Sequence, residues 1–366
     1  MASVTTRSSG EAVGVAVPLA EHTTLHLGGP AARLVEATTA EDLVEALRRA
    51  DTGGDDVLVL GGGSNLVVGD EGFAGTVVRV ATTGRRADRV ADGTVQLTVE
   101  AGEDWDAVVA AAVADGLSGV ECLSGIPGRV GAVPVQNVGA YGVEVAELLD
   151  SVDVYDRLDG CVRTVPAADL GLAYRTSRLK GSATSVVLRA RFALADSGSS
   201  VPIRYPELAR ALGVELGDRV PLAAAREAVL ALRAGKGMVL DPADHDTWSA
   251  GSFFTNPLVP DEAVPEVLAR IAERLGGEAP VPRYPGGPGR TKFSAAWLIE
   301  RAGFRRGHQG PGGRVALSSK HTLALTNRGT GSTADLLALA SEVRDGVRAA
   351  FGVVLEPEPV LVNCAL

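Results

Sequence analysis

Residues 123–142, LSGIPGRVGAVPVQNVGAYG, alternate glycines and two prolines with apolar residues, and no helix or strand of useful length fits that mixture. The segment is too apolar for a linker. It reads as an ordered loop whose backbone is pressed close to something. Gln136, Asn137 and Tyr141 stand among Gly131, Gly139 and Gly142, which suits backbone and amide groups gathered around a polar heterocycle or a diphosphate. An irregular loop with a purely structural role is the alternative.

A second glycine loop, GGGSN at 61–65, lies between two apolar strand patterns, DVLVL and LVV. Backbone N–H groups free of side chains can approach an anion, and Ser64 and Asn65 add donors. The spacing Gly61-x-Gly63-x-x-Leu66 lacks the third glycine of a dinucleotide fingerprint, and no Gly-Lys-Ser/Thr follows, so neither standard phosphate motif applies. A tight strand-to-strand turn remains open for this loop alone. Two such loops suggest one extended ligand.

The formal charge of −10 argues against nonspecific nucleic-acid binding, so an anionic ligand must be held by local groups. At 366 residues, 46% of them hydrophobic, the chain has room for two or three domains. No apolar run reaches membrane-spanning length, and the amino end reads as a loose leader over 1–19 rather than a secretion signal, which implies a cytoplasmic protein. Cys122, Cys161 and Cys364 give neither a disulfide framework nor a metal site and are expected to be buried thiols. Of 35 basic residues only four are lysines, so each lysine is worth inspecting while a lone arginine says little.

The pattern of elements is α+β. TAEDLVEALRRA reads as a helix opened by a Thr39/Asp42 capping box, DWDAVVAAAVADG as one N-capped by Asp104, and STADLLALASEVRDGVRAAFG as one with a Ser332/Asp335 box and a stop at Gly352. SVDVYD, VRTV, SVVLRARFAL, HTLALTN and VVLEPEPVLV read as strands, with prolines 357 and 359 confining the last to an edge or bulge. Unequal blocks of strands and helices favour α+β over a doubly wound sheet.

In GSFFTNP, residues 251–257, Ser252 lacks the G-x-S-x-G elbow of a hydrolase, and none of His22, His26, His245, His308 and His321 has a triad context. A turn-capping hydroxyl is one reading of Ser252; a proton donor to a developing carbanion is the other. AYRTSRLK offers Tyr174, Arg175, Ser177 and Lys180, where the guanidinium could bind a carboxylate bidentately or simply be a solvated surface charge.

TTLHLGGPA, VLGGGSNLVV, GIPGRVGAVPVQNVGAYG, YRTSRLK, RYPEL, GSFFTNP, AAWLIERAGF and LEPEP, in this order from about Thr23, resemble the MurB family of UDP-N-acetylenolpyruvoylglucosamine reductases. The resemblance implies a vanillyl-alcohol-oxidase-type FAD-binding fold of two α+β subdomains, 20–81 and 82–242, a substrate-binding domain at 243–350, and a C-terminal strand, 351–366, bearing a catalytic glutamate. It implies non-covalent FAD, NADPH as reductant, and reduction of UDP-N-acetylglucosamine enolpyruvate to UDP-N-acetylmuramate in peptidoglycan synthesis by a monomer. Ser252 then matches the proton donor, and Arg175 with Glu358 the pair stabilising the intermediate. The cofactor would lie against Gly61, Gly62, Gly63, Ser64 and Asn65, and against Gly125, Pro127, Gly128, Gly131, Gln136, Asn137, Gly139, Ala140, Tyr141 and Gly142. Tyr174, Tyr205, Lys236 and Asn256 match substrate-binding positions; no metal is implied. Two departures stand out: Thr255 replaces a frequent lysine, and Pro359 follows Glu358 where Val-Arg is common, which makes Glu356 the rival of Glu358. A related oxidase with covalent flavin and a nonenzymatic nucleotide-binding module are the competing readings.

Overall fold

The computed structural model describes residues 17–90, 93–277 and 280–366. Of the leader expected over 1–19, residues 1–16 lie outside the described residues, and Val17–Pro18 is already a strand paired with Pro30–Ala31. The first sheet runs Val17–Pro18, Pro30–Ala37, Phe73–Val80, Val57–Leu60. Its last three strands are parallel. Helix Ala40–Gly53 makes one crossover, started where Thr39 Oγ1 accepts the Asp42 N–H at 3.0 Å and stopped at the left-handed Gly54.

The second sheet is antiparallel, in the order Cys161–Pro166, Leu149–Asp156, Ser185–Asp196, Thr94–Glu100, Arg85–Arg89. One face packs on helices Trp105–Ala114 and Leu222–Gly235 through Val152, Phe192, Val109 and Val229. The other meets the first helix and sheet through Tyr155, Val186 and Leu188 against Leu43 and Val78. The two sheets therefore share a core layer.

The third body is built on helices Val264–Leu275, Ala295–Ala302 and Thr333–Phe351, whose core also takes in Leu25, Leu27 and Val67 from the first. Ser332 and Asp335 form the full reciprocal capping box. Beyond Phe351 the chain runs back across the molecule, and Val360–Val362 pairs in parallel with Leu66–Val68.

Three expectations change. Glu358 precedes the C-terminal strand rather than lying on it, because Pro357 and Pro359 withhold the N–H groups a longer ladder would need. The strand expected in HTLALTN is only Leu325–Asn327, since Ser318 to Ala324 closes a turn. Of the cysteines only Cys122 is buried, its thiol pushed up to about 12 by desolvation; Cys364 is half-buried and Cys161 exposed. Among the described residues no helix is long and apolar enough to cross a membrane.

Candidate active site

The two glycine loops touch. A Cβ on Gly62 would stand 2.8 Å from Gly128 Cα, and one on Gly128, whose φ is +130°, would stand 2.7 Å from Ser64 Oγ. Side chains here would drive the loops apart. The N–H groups of Gly62, Gly63, Ser64 and Asn65, with those of Gly128 and Arg129, find no acceptor among the described residues. Open donors on two abutting loops are the chemistry that suits an anion such as a diphosphate.

Other expected cofactor residues face the protein. Gly131 packs on Ala101, and Gly125 packs on Leu230 while its N–H donates to Asp106 Oδ1 at 2.6 Å. Asn137, 1% exposed, has both amide hydrogens occupied by Glu144 Oε2 (2.8 Å) and Ala173 O (3.1 Å), so its side chain has no donor left for a ligand. Pro127 is half-buried in the irregular stretch before Gly128, and Ala140 lies in a two-residue pairing with Val143. Tyr141 presents its ring edge-on to Tyr205 at 5.4 Å, next to Gly142, which packs on Arg204. Lys236 lies 5.9 Å from the Tyr141 ring and pairs with Glu207 at 2.6 Å.

The reactive side chains come from three distant segments. Phe254 and Pro357 form an antiparallel bridge, flanked by Thr255 N–H to Glu356 O (3.0 Å) and Glu358 N–H to Phe253 O (2.8 Å). This pairing holds the segments that carry Ser252 and Glu358 side by side. Arg175 Nε lies 3.1 Å from Glu358 Oε1, and its NH2 donates to Gly139 O at 2.8 Å, an approach that a Cβ on Gly139 would obstruct. Arg175 sits at φ +55°, a strained conformation for a long side chain, costing roughly 1–3 kcal/mol. Lys180 Nζ donates to Arg175 O at 3.1 Å. Glu356 is exposed whereas Glu358 faces Arg175, which separates the two glutamates.

Burial raises the Glu358 pKa above the usual carboxylate value, with Arg175 and then Lys180 opposing. Ser252 is half-buried. The local turn is capped by Ser249, whose Oγ accepts the Gly251 N–H at 3.2 Å, and the Ser252 hydroxyl has no hydrogen-bond partner among the described residues. That removes the capping reading.

A cavity of about 600 Å³ opens beside this group, lined among others by Tyr174, Arg175, Lys180, Asn256 and Glu356. Asn256 Oδ1 accepts the Ala295 N–H, leaving its NH2 free. Two residues outside that lining were missed in the sequence. Lys292 Nζ stands 4.6 Å from the Tyr174 ring; its scarcity as a lysine was the available signal. His321, held down to about 4 by burial and then by Lys236 and Arg306, has no local motif at all.

Residues 31–165 match the family described as FAD binding domain, and residues 241–362 match UDP-N-acetylenolpyruvoylglucosamine reductase, C-terminal domain. The UDP-N-acetylenolpyruvoylglucosamine reductase of Saccharopolyspora erythraea is 69% identical over 95% of both chains. The chain belongs to that reductase family. The Nocardia farcinica UDP-N-acetylenolpyruvoylglucosamine reductase is 59% identical, covering 98% of this chain and 92% of that one. The crystal structure of the Thermus caldophilus UDP-N-acetylenolpyruvylglucosamine reductase superposes with a TM-score of 0.62 at 26% identity, over 96% of this chain and all of the other. The architecture is accordingly that of a UDP-N-acetylenolpyruvoylglucosamine reductase: an α+β FAD-binding domain followed by the family's C-terminal domain.

Proposed function

We propose that Ser252, Arg175 and Glu358 are the catalytic group of this reductase, acting on a substrate held in the adjoining cavity. Family membership carries the overall activity, FAD-dependent reduction of UDP-N-acetylglucosamine enolpyruvate to UDP-N-acetylmuramate in peptidoglycan synthesis. NADPH as the reductant, a monomeric enzyme and a cytoplasmic location complete the reading. The cradle of unsatisfied N–H groups at 62–65 and 128–129 fits the FAD diphosphate. The units 20–81 and 82–242 would hold the cofactor and 243–350 the substrate.

The observation that supports this assignment is the pairing of Phe253–Thr255 with Glu356–Glu358, which holds the backbone next to Ser252 against the segment whose Glu358 pairs with Arg175. When bound, FAD supplies the hydride that adds to the terminal carbon of the enolpyruvyl double bond. The Arg175 guanidinium, fixed by Gly139 O, stabilises negative charge gathering on the substrate carboxylate. Glu358, its proton favoured by burial, holds Arg175 in place and can hydrogen-bond the enol oxygen. Ser252 then gives its hydroxyl proton to the neighbouring carbon and is reprotonated from solvent, completing addition of one hydride and one proton across the double bond. Tyr174, Lys292, Lys236, Tyr205 and Asn256 supply rings, charges and an amide for the nucleotide part of the substrate.

The test is an NADPH-oxidation assay with the enolpyruvyl substrate, on the parent and on Ser252→Ala. Substrate-dependent NADPH oxidation by the parent, lost in a variant whose flavin NADPH still bleaches, is the expected result. A variant as active as the parent would overturn the assignment.

A further inference from the structure

Asn65 belongs to the glycine loop, yet its side chain points away from the open N–H groups around it. Its Nδ2 donates to Gln136 Oε1 in the second glycine segment and, at 3.4 Å, to the backbone carbonyl of Glu358. Its own carbonyl accepts the Val360 N–H at 3.0 Å. On the other side Glu358 N–H donates to Phe253 O at 2.8 Å. The Glu358 peptide is thus gripped from both flanks, by the segment carrying Ser252 and by Asn65. With both amide hydrogens met by acceptors inside the chain, the Asn65 side chain has little left to offer a phosphate, and only its backbone N–H stays open to the cradle.

We propose that Asn65 is a positioning residue for Glu358, tying the cofactor loop to the acid that holds Arg175. The inference rests on the reading of Glu358 given above. A carboxylate aimed at a guanidinium 3.1 Å away must keep its backbone still, and its neighbours Pro357 and Pro359 contribute no N–H to any ladder. Asn65 supplies the missing anchor through the two groups flanking those prolines, the Glu358 carbonyl and the Val360 amide. Gln136 sets the Asn65 rotamer, so both glycine loops bear on the position of one carboxylate.

The experiment compares Asn65→Ala, Val360→Pro and Glu358→Gln, each loaded with FAD. Val360→Pro removes the N–H that the Asn65 backbone carbonyl accepts while every residue of both glycine loops stays unsubstituted. FAD affinity is read from fluorescence quenching, and stopped-flow absorbance follows flavin reduction by NADPH and reoxidation by the enolpyruvyl substrate across pH. Asn65→Ala and Val360→Pro are expected to leave reduction within about twofold and to slow reoxidation roughly 10- to 100-fold, the loss a small misplacement of a reacting group brings. In both, the Glu358-dependent limb of the reoxidation pH profile should move to lower pH as the loosened carboxylate gains solvent. An Asn65→Ala enzyme with weakened FAD binding but parental reoxidation and an unshifted profile would make Asn65 a flavin ligand and overturn the inference. If Glu358→Gln itself reoxidises at the parental rate, the role given to Glu358 falls and the inference with it; if only Asn65→Ala does, the inference falls alone.

Discussion

The cradle formed by the glycine loops and the group proposed for proton transfer are built in opposite ways. The cradle is almost all backbone: glycines of two loops lie so close that a methyl group would part them, and their N–H groups stay open. The group around Ser252 is all side chain, and nearly every element in it is held by a partner from elsewhere in the chain, as Arg175 is by Gly139, Lys180 and Glu358. A loop made of main chain binds one invariant shape, whereas a cluster of side chains brings particular charges to particular atoms. The first tolerates no added volume; the second tolerates no lost functional group.

The sharpest way to break that contrast is Ser252→Ala. The loss should appear only in reoxidation by the enolpyruvyl substrate, by about 100- to 10,000-fold, with flavin reduction near parental in stopped-flow traces. Ser252→Cys should recover part of it. Next in size is an effect of pH on stability. His321 has a pKa of about 4 in the folded chain against 6.5 unfolded, so the unfolded state binds the extra proton. Its contribution is full above pH 6.5 and is lost as pH falls toward 4, by about 3 kcal/mol. Denaturant melts at pH 7 and pH 4 should show that much less acid sensitivity in His321→Gln.

On the backbone side, Gly62→Ala should cost about 1–3 kcal/mol through its clash with Gly128 and lower FAD occupancy, read from the ratio of visible to ultraviolet absorbance. A fully occupied, equally stable Gly62→Ala would show that the loops can separate at no cost. Smallest is Lys292→Met, which removes a cation from the Tyr174 face and should raise KM for the UDP-sugar by an amount worth about 1 kcal/mol, with kcat little changed.

The cradle was legible because its signal is local: glycine-dense loops between apolar runs appear in any window of the chain. Which glycines faced outward was not, since Gly131 and Gly125 are glycines for the sake of Ala101 and Leu230. The Thr39, Asp104 and Ser332 caps were readable for the same local reason. Bonds between distant segments were out of reach. Glu356 and Glu358 have the same parity in an extended chain, so pattern alone cannot choose between them; Arg175, from another segment, does. The side-chain partners of Asn137 and Asn65 were equally hidden, because an amide among glycines carries no mark of which backbone it will grip.

Among the described residues the strand Leu66–Val68 has Val360–Val362 as its only sheet partner, and the anchor beside it joins residues 293 positions apart. At 5–20 residues per second, a ribosome needs roughly 15 to 60 s to travel between them. Throughout that interval the nascent chain carries a short apolar edge with nothing to pair with, and the glutamate has not yet been made. Birth of the activity is therefore a late event, gated by translation speed, and anything that stalls synthesis in the third body should yield folded sheets with no chemistry and one edge open to wrong partners.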